Sequence, residues 1–147
     1  MSRLLAYAYL VLGMASAIGA RTADAQRLEI RVEVDSGQTS QLRLALPKGD
    51  TIAFQASVLL SRDDFSRLVV QPEGRSTYAV VGTLNAPSLE RLVRQNDAFV
   101  GRRIGVIVGG KLVAVWRVQS ALTSRIMPLA TGVSEEIAKQ IAASTSG

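Results

Sequence analysis

The stretch Arg103-Ile104-Gly105-Val106-Ile107-Val108-Gly109-Gly110-Lys111-Leu112-Val113-Ala114-Val115-Trp116-Arg117-Val118 sets two apolar runs on either side of a Gly-Gly pair. Glycine reaches positive φ without the Cβ penalty, so a two-residue loop of this kind predicts a tight β-hairpin. Taken without irregularity, the register pairs Val108 with Lys111, Ile107 with Leu112, Val106 with Val113, Gly105 with Ala114, Ile104 with Val115 and Arg103 with Trp116. One face then carries Ile104, Val106, Val108, Val113 and Val115, an aliphatic layer suited to packing under helices. The other carries Arg103, Gly105, Ile107, Leu112, Ala114, Trp116 and Val118 and is too apolar for full solvation. Either another layer covers that second face, or it is an exposed patch with Trp116 as anchor and Arg103 near its ring, residue types enriched at binding hot spots. On the second reading the partner-binding residues are Trp116, Arg103, Ile107, Leu112 and Val118.

Upstream, Leu28, Ile30, Val32 and Val34 alternate with Arg27, Glu29, Arg31 and Glu33, a half-buried strand whose charged face looks at water. Asp35-Ser36-Gly37-Gln38 reads as a turn, Leu42, Leu44 and Leu46 as a second strand, and Pro47-Lys48-Gly49-Asp50 as its end. Ile52 to Leu60 is expected to be extended. Ser61 and Asp64 resemble a capping box, with Phe65, Leu68 and Val69 as the buried stripe of a short helix. The carboxylates of Asp63 and Asp64 belong to its first turn, where negative charge is favoured, rather than to a cation site. Thr77 to Leu84 is a strand. Asn85 then caps a helix with Pro87 in its first turn, Leu89, Leu92, Val93, Phe99 and Val100 inward, and Gly101 as left-handed C-cap. Ile126 to Thr131 is a last strand, followed by a helix capped by Ser134 with Ile137, Ala138, Ile141 and Ala142 buried. Residues 144–147 are expected to fray. The fold class is α+β, a mostly antiparallel sheet with two to three helices packed mainly on one face.

Residues 1–25 read as a signal peptide, with Arg3 before an apolar run from Leu4 to Ala20 and Ala23-Asp24-Ala25 offering small residues for a cut before Gln26. The run is short of the roughly 20 residues a spanning helix needs, so cleavage is favoured over an anchor. A periplasmic or secreted location follows, with no stable membrane insertion after cleavage. The chain of 147 residues has a formal charge of +5 and a mean hydropathy of +0.21, the latter contributed largely by the leader. Its basic residues are scattered, and outside the cytoplasm nucleic acid is not an expected partner.

The chain contains no Cys and no His. This excludes thiolate or imidazole metal ligation, disulfides, a cysteine nucleophile and a Ser-His-Asp triad. A small hydrolase would need Ser61, Ser120 or Ser134 with Lys48, Lys111 or Lys139 as base, a poor set: Ser134 and Lys139 are five apart on one helix, and Lys111 lacks the P-loop spacing. No catalytic residue, metal or cofactor is assigned.

Three pieces carry a family resemblance. Leu89 to Gly101, leaving through Arg102, looks like the helix and Gly-Arg/Lys exit of the head subdomain in the first periplasmic domain of SecD and SecDF, membrane subunits that assist bacterial protein export. Arg103 to Val113 is similar to the hairpin of that subdomain, and Thr131-Gly132-Val133-Ser134-Glu135-Glu136-Ile137-Ala138 to the start of its closing helix. The family usually has Asp where Gly109 stands and Pro where Trp116 stands. The resemblance divides the chain into N-terminal strands over 26–57 and a head-like domain over 58–143. It implies an α+β, protein-contacting fold without the transmembrane helices that carry proton coupling. The expectation is a non-enzymatic periplasmic accessory domain that binds a protein of the export or envelope pathway. The alternative is a structural or inhibitory domain that pairs through a free sheet edge, for which the outermost strand should be long, flat and unpaired.

Overall fold

The computed structural model describes residues 26–35, 41–46 and 49–146. The leader, most of the turn at 35–38 and Pro47-Lys48 lie outside the described residues. Among the described residues nine strands form three antiparallel sheets. β1 (Leu28–Val32), β4 (Leu60–Ser61), β7 (Arg103–Val108) and β8 (Lys111–Arg117) make one sheet in the order β4-β1-β7-β8. β2 (Gln41–Ala45) and β3 (Thr51–Gln55) make a hairpin, and β5 (Phe65–Pro72), β6 (Tyr78–Leu84) and β9 (Ile126–Val133) a sheet in the order β5-β6-β9. The helices are α1 (Ala86–Arg94), α2 (Asn96–Phe99) and α3 (Glu135–Ala142). The class is α+β, as expected.

The alternation at the start of the chain buries Leu28, Ile30 and Val32. β1 thereby becomes an inner strand of the same sheet as the hairpin, between β4 and β7. Its front face joins Ile104, Val106, Leu92, Phe99, Leu129 and Ile141 in one large core. On the back face Arg27 is exposed, but the middle of the strand does not look at water. The side chains of Arg31 and Glu29 are only 11% and 16% exposed, and they pair at 2.8 Å. Arg31 also donates to the carbonyls of Gln55, at 3.0 Å, and Ala56 at the end of β3. Charges in a covered position persist only when paired and hydrogen-bonded, and these are.

Gly109 and Gly110 take φ of 60° and 79°, and Val108 meets Lys111, as the hairpin reading requires. Beyond Ile107–Leu112 the register slips: Val106 faces Ala114, Ile104 faces Trp116 and Arg103 faces Arg117. Val113 is the extra residue of a β-bulge. Because side chains alternate with period two, one inserted residue exchanges the faces of everything after it. Trp116 and Val118 thus pack with the large core, and Val115 joins Ile107 and Leu112 on the back.

That back face is covered by the β2–β3 hairpin, through Ile52 and Phe54. Gly105 makes the contact possible, since a Cβ there would lie 2.5 Å from Phe54 Cζ.

Residues 62–72 correct another expectation. Ser61 N donates to Asp64 Oδ2 at 2.8 Å, but the cap opens a single 3-10 turn, Arg62–Asp64, and Phe65, Leu68 and Val69 belong to β5. The spacing fits a short helix, yet this aromatic and β-branched run finds its hydrogen-bonding partner in β6, and tertiary pairing decides such segments.

Asn85 Oδ1 accepts from Ser88 N at 3.0 Å, so α1 starts where expected. The helix then breaks at Gln95, whose N–H bonds the Leu92 carbonyl in a tightened last turn. The break keeps Leu92 and Phe99 buried but leaves Val93, expected inward, 47% exposed. Gly101, at φ 84°, then ties to the Val118 carbonyl. Ser144 and Thr145 do not fray. Ser144 is buried, and Thr145 bonds through its N–H to Gln26 O at 2.8 Å and through its C=O to Leu28 N at 2.9 Å.

Candidate functional site

The bulge divides the five residues expected to form one binding face. Ile107 and Leu112 are sealed beneath Phe54 and Ile52. Val118 is buried in the large core. Arg103 Nε is paired with Glu33 Oε2, and its strand neighbour is Arg117 rather than Trp116. Trp116 reaches a surface cavity that Val118 also lines, whereas Arg103 lines a separate one beside Glu33.

This cavity, of about 240 Å³, lies where the end of β8 approaches the start of β9. Trp116, Leu122, Ile126 and Pro128 give it apolar walls, and Ser120, Thr123 and Ser124 supply hydroxyls from the connecting loop. Ile126 stands 60% exposed on its rim. Trp116 is half-buried, and its Nε1 is sequestered without a hydrogen-bond partner. Asn96 Oδ1 holds the loop by accepting from Leu122 N at 3.3 Å. The sequence identified Trp116, but the contribution of 119–128 depends on two chain segments meeting and has no local signature.

A larger cleft of about 570 Å³ opens between the 57–61 segment and α1. Its polar centre is Asp64, whose Oδ1 accepts from Ser88 Oγ at 2.6 Å and from Arg91 Nη2 at 3.2 Å. Arg91 also donates to the Leu59 carbonyl at 3.0 Å. These bonds tie the 3-10 turn to α1, so the carboxylate first read as a cap serves as a tertiary clamp.

Two of the residues considered for hydrolysis, Ser134 and Lys139, have partners within α3. Ser134 Oγ caps α3 by accepting from Ile137 N, and Ser61 caps the 3-10 turn through its backbone N–H. Lys139 lies 2.9 Å from Glu135, whose hydrogen bond and charge raise the pKa of the ammonium, opposite to what a general base requires. Lys48 is outside the described residues.

Among the outer strands β4 has only two residues, and β5, β8 and β9 are longer but not regular. The β5–β6, β6–β9 and β7–β8 ladders each contain a register shift, and β9 includes Pro128. Bulges and proline are devices that discourage pairing at an edge.

No protein family model and no curated protein matches the sequence. Solved structures do match the fold. A structure of SecDF described as a membrane component that enhances protein export aligns at a TM-score of 0.62 and 15% identity, covering 87% of this chain and 65% of that one. SecDF in its super-membrane-facing form aligns at a TM-score of 0.60 and 14% identity, covering 86% of this chain and 20% of that one. The chain thus spans less than two thirds of either. The fold implied by the family resemblance is the fold observed.

Proposed function

We propose that this chain is a non-enzymatic accessory domain that acts outside the cytoplasm and binds a protein of the export or envelope pathway through the groove at Trp116. The groove carries the reading, because it brings the half-buried Trp116 and the 60% exposed Ile126 to one surface cavity. An aliphatic side chain suits such walls, and aromatic residues in pockets are the usual hot spots of protein contacts. The SecDF-like fold supports the pathway. Location rests on the reading of residues 1–25 as a leader. No helix among the described residues is long and apolar enough to cross a membrane. Pairing through a sheet edge is the weaker reading, given the irregular outer ladders.

A photoreactive residue placed at Ile126 in cells should crosslink to an envelope or exported protein, and Trp116→Ala in the same chain should abolish the adduct. Trp116 is the only tryptophan, so its fluorescence should shift when the captured protein is added. Undiminished crosslinking by a folded Trp116→Ala variant would remove this groove as the site.

A further inference from the structure

We infer that the segment docking at the Trp116 groove is acidic, and that four arginines beside the groove, Arg102, Arg103, Arg117 and Arg125, select it. This rests on the reading of that groove as the contact site and assigns the charge of its partner. The residues lining the groove include no Asp or Glu, and Asp97, next to Asn96 on α2, is not among them. Arginine interrupts the lining on both walls: Arg117 stands between Trp116 and Val118, and Arg125 between Ser124 and Ile126, all four neighbours being lining residues. Each guanidinium is steadied by an anchor that leaves donors to spare. Arg117 Nη1 donates to the Gly101 carbonyl at 2.6 Å, and Arg125 Nε to the Leu84 carbonyl at 2.9 Å. Arg102 Nη1 reaches the Glu33 carbonyl at 3.4 Å, and Arg103 Nε pairs with the Glu33 carboxylate. A carbonyl anchor holds a guanidinium without neutralising it, and Arg102, Arg117 and Arg125 are exposed. Arg103 and Arg117 are also direct cross-strand partners, an opposition of like charges that a sheet resists. Among the described residues Glu33 is the one carboxylate bound to any of the four, so positive charge is in excess here. Asp35 and Arg43, which line the cavity beside Glu33 and Arg103, are opposite in sign and offset each other. Such charges act on a partner through their field as well as through contact, over a screening length of roughly 10 Å. The partner therefore presents an apolar side chain flanked by carboxylates.

The probe is a synthetic capped peptide with a photoreactive phenylalanine between leucines and a pair of glutamates at each end, beside a counterpart with glutamine for every glutamate. Each is irradiated with the full chain in a nonionic detergent, and the adducts are counted and mapped by mass. At low ionic strength the glutamate peptide should label the groove about tenfold more than the glutamine peptide, and the difference should vanish in about 1 M salt. Arg117→Gln combined with Arg125→Gln should remove most of the preference. Arg75→Gln combined with Lys139→Gln, which takes the same charge from the turn before β6 and from α3, should leave it in place. Equal labelling by the two peptides, or equal loss in both double variants, would overturn the inference and leave the groove as the contact site. An acidic preference that persists in Trp116→Ala, with adducts outside the groove, would overturn the groove reading and uphold the choice of an acidic segment by the arginines. Competition by phosphatidylglycerol vesicles but not by free polyglutamate would overturn the inference in favour of a membrane surface.

Discussion

The two faces of the four-stranded sheet are built on different terms. The front joins both longer helices and the second sheet in a core of eighteen buried residues, whereas the back is closed by a two-stranded hairpin around four. Alternating apolar residues suffice for the front. The back depends on a glycine that admits a ring, a bulge that re-aims β8, and a part-buried ion pair that reaches across to β3. A face with many mutually supporting contacts is set by pattern, and one with few is set by individual fits.

Perturbing each face should expose this difference. Phe99→Ala, on the front, removes a fully buried ring and should lower stability by about 3–5 kcal/mol, read as a single cooperative shift in urea denaturation. A change confined to local exchange would show the front to be less unified than its packing implies. Gly105→Val drives branched carbons into the Phe54 ring and should cost about 1–3 kcal/mol. Its effect should appear first as faster amide exchange in β2 and β3, with α1 and α3 still protected, and uniform loss of protection would make the two faces one cooperative unit. Asn85→Ala removes the α1 cap and should cost about 1 kcal/mol, with Asn85→Asp nearly neutral. Equal losses for both would mean that the bond from Asn85 Nδ2 to the Asp63 carbonyl, rather than the cap, is what matters there.

The same contrast explains what could be read from the residues. Gly109-Gly110, Asn85, Ser134 and Gly101 act locally, and each turn or cap stands where its chemistry places it. The alternation of Leu28, Ile30 and Val32 likewise identified a strand and its buried side. Val113 gave no such sign: every residue from Leu112 to Val115 is apolar, so pattern cannot say which one the ladder omits, and the regular register drawn through Trp116 departs from the observed one at that point. Phe65, Leu68 and Val69 satisfy a helical spacing and a strand composition together, and only β6 resolves them. Arg31 and Glu29 were assigned to solvent because the hairpin that covers them is separate in sequence. The groove escaped for the same reason, its two walls being β8 and the loop beyond it.

The bond between Gln26 and Thr145 has a consequence for architecture. The polypeptide enters and leaves this domain at one point, so a longer chain could carry it as a side branch in a single loop, with the flanking segments kept together. Adjacent ends are what make domain insertion tolerable.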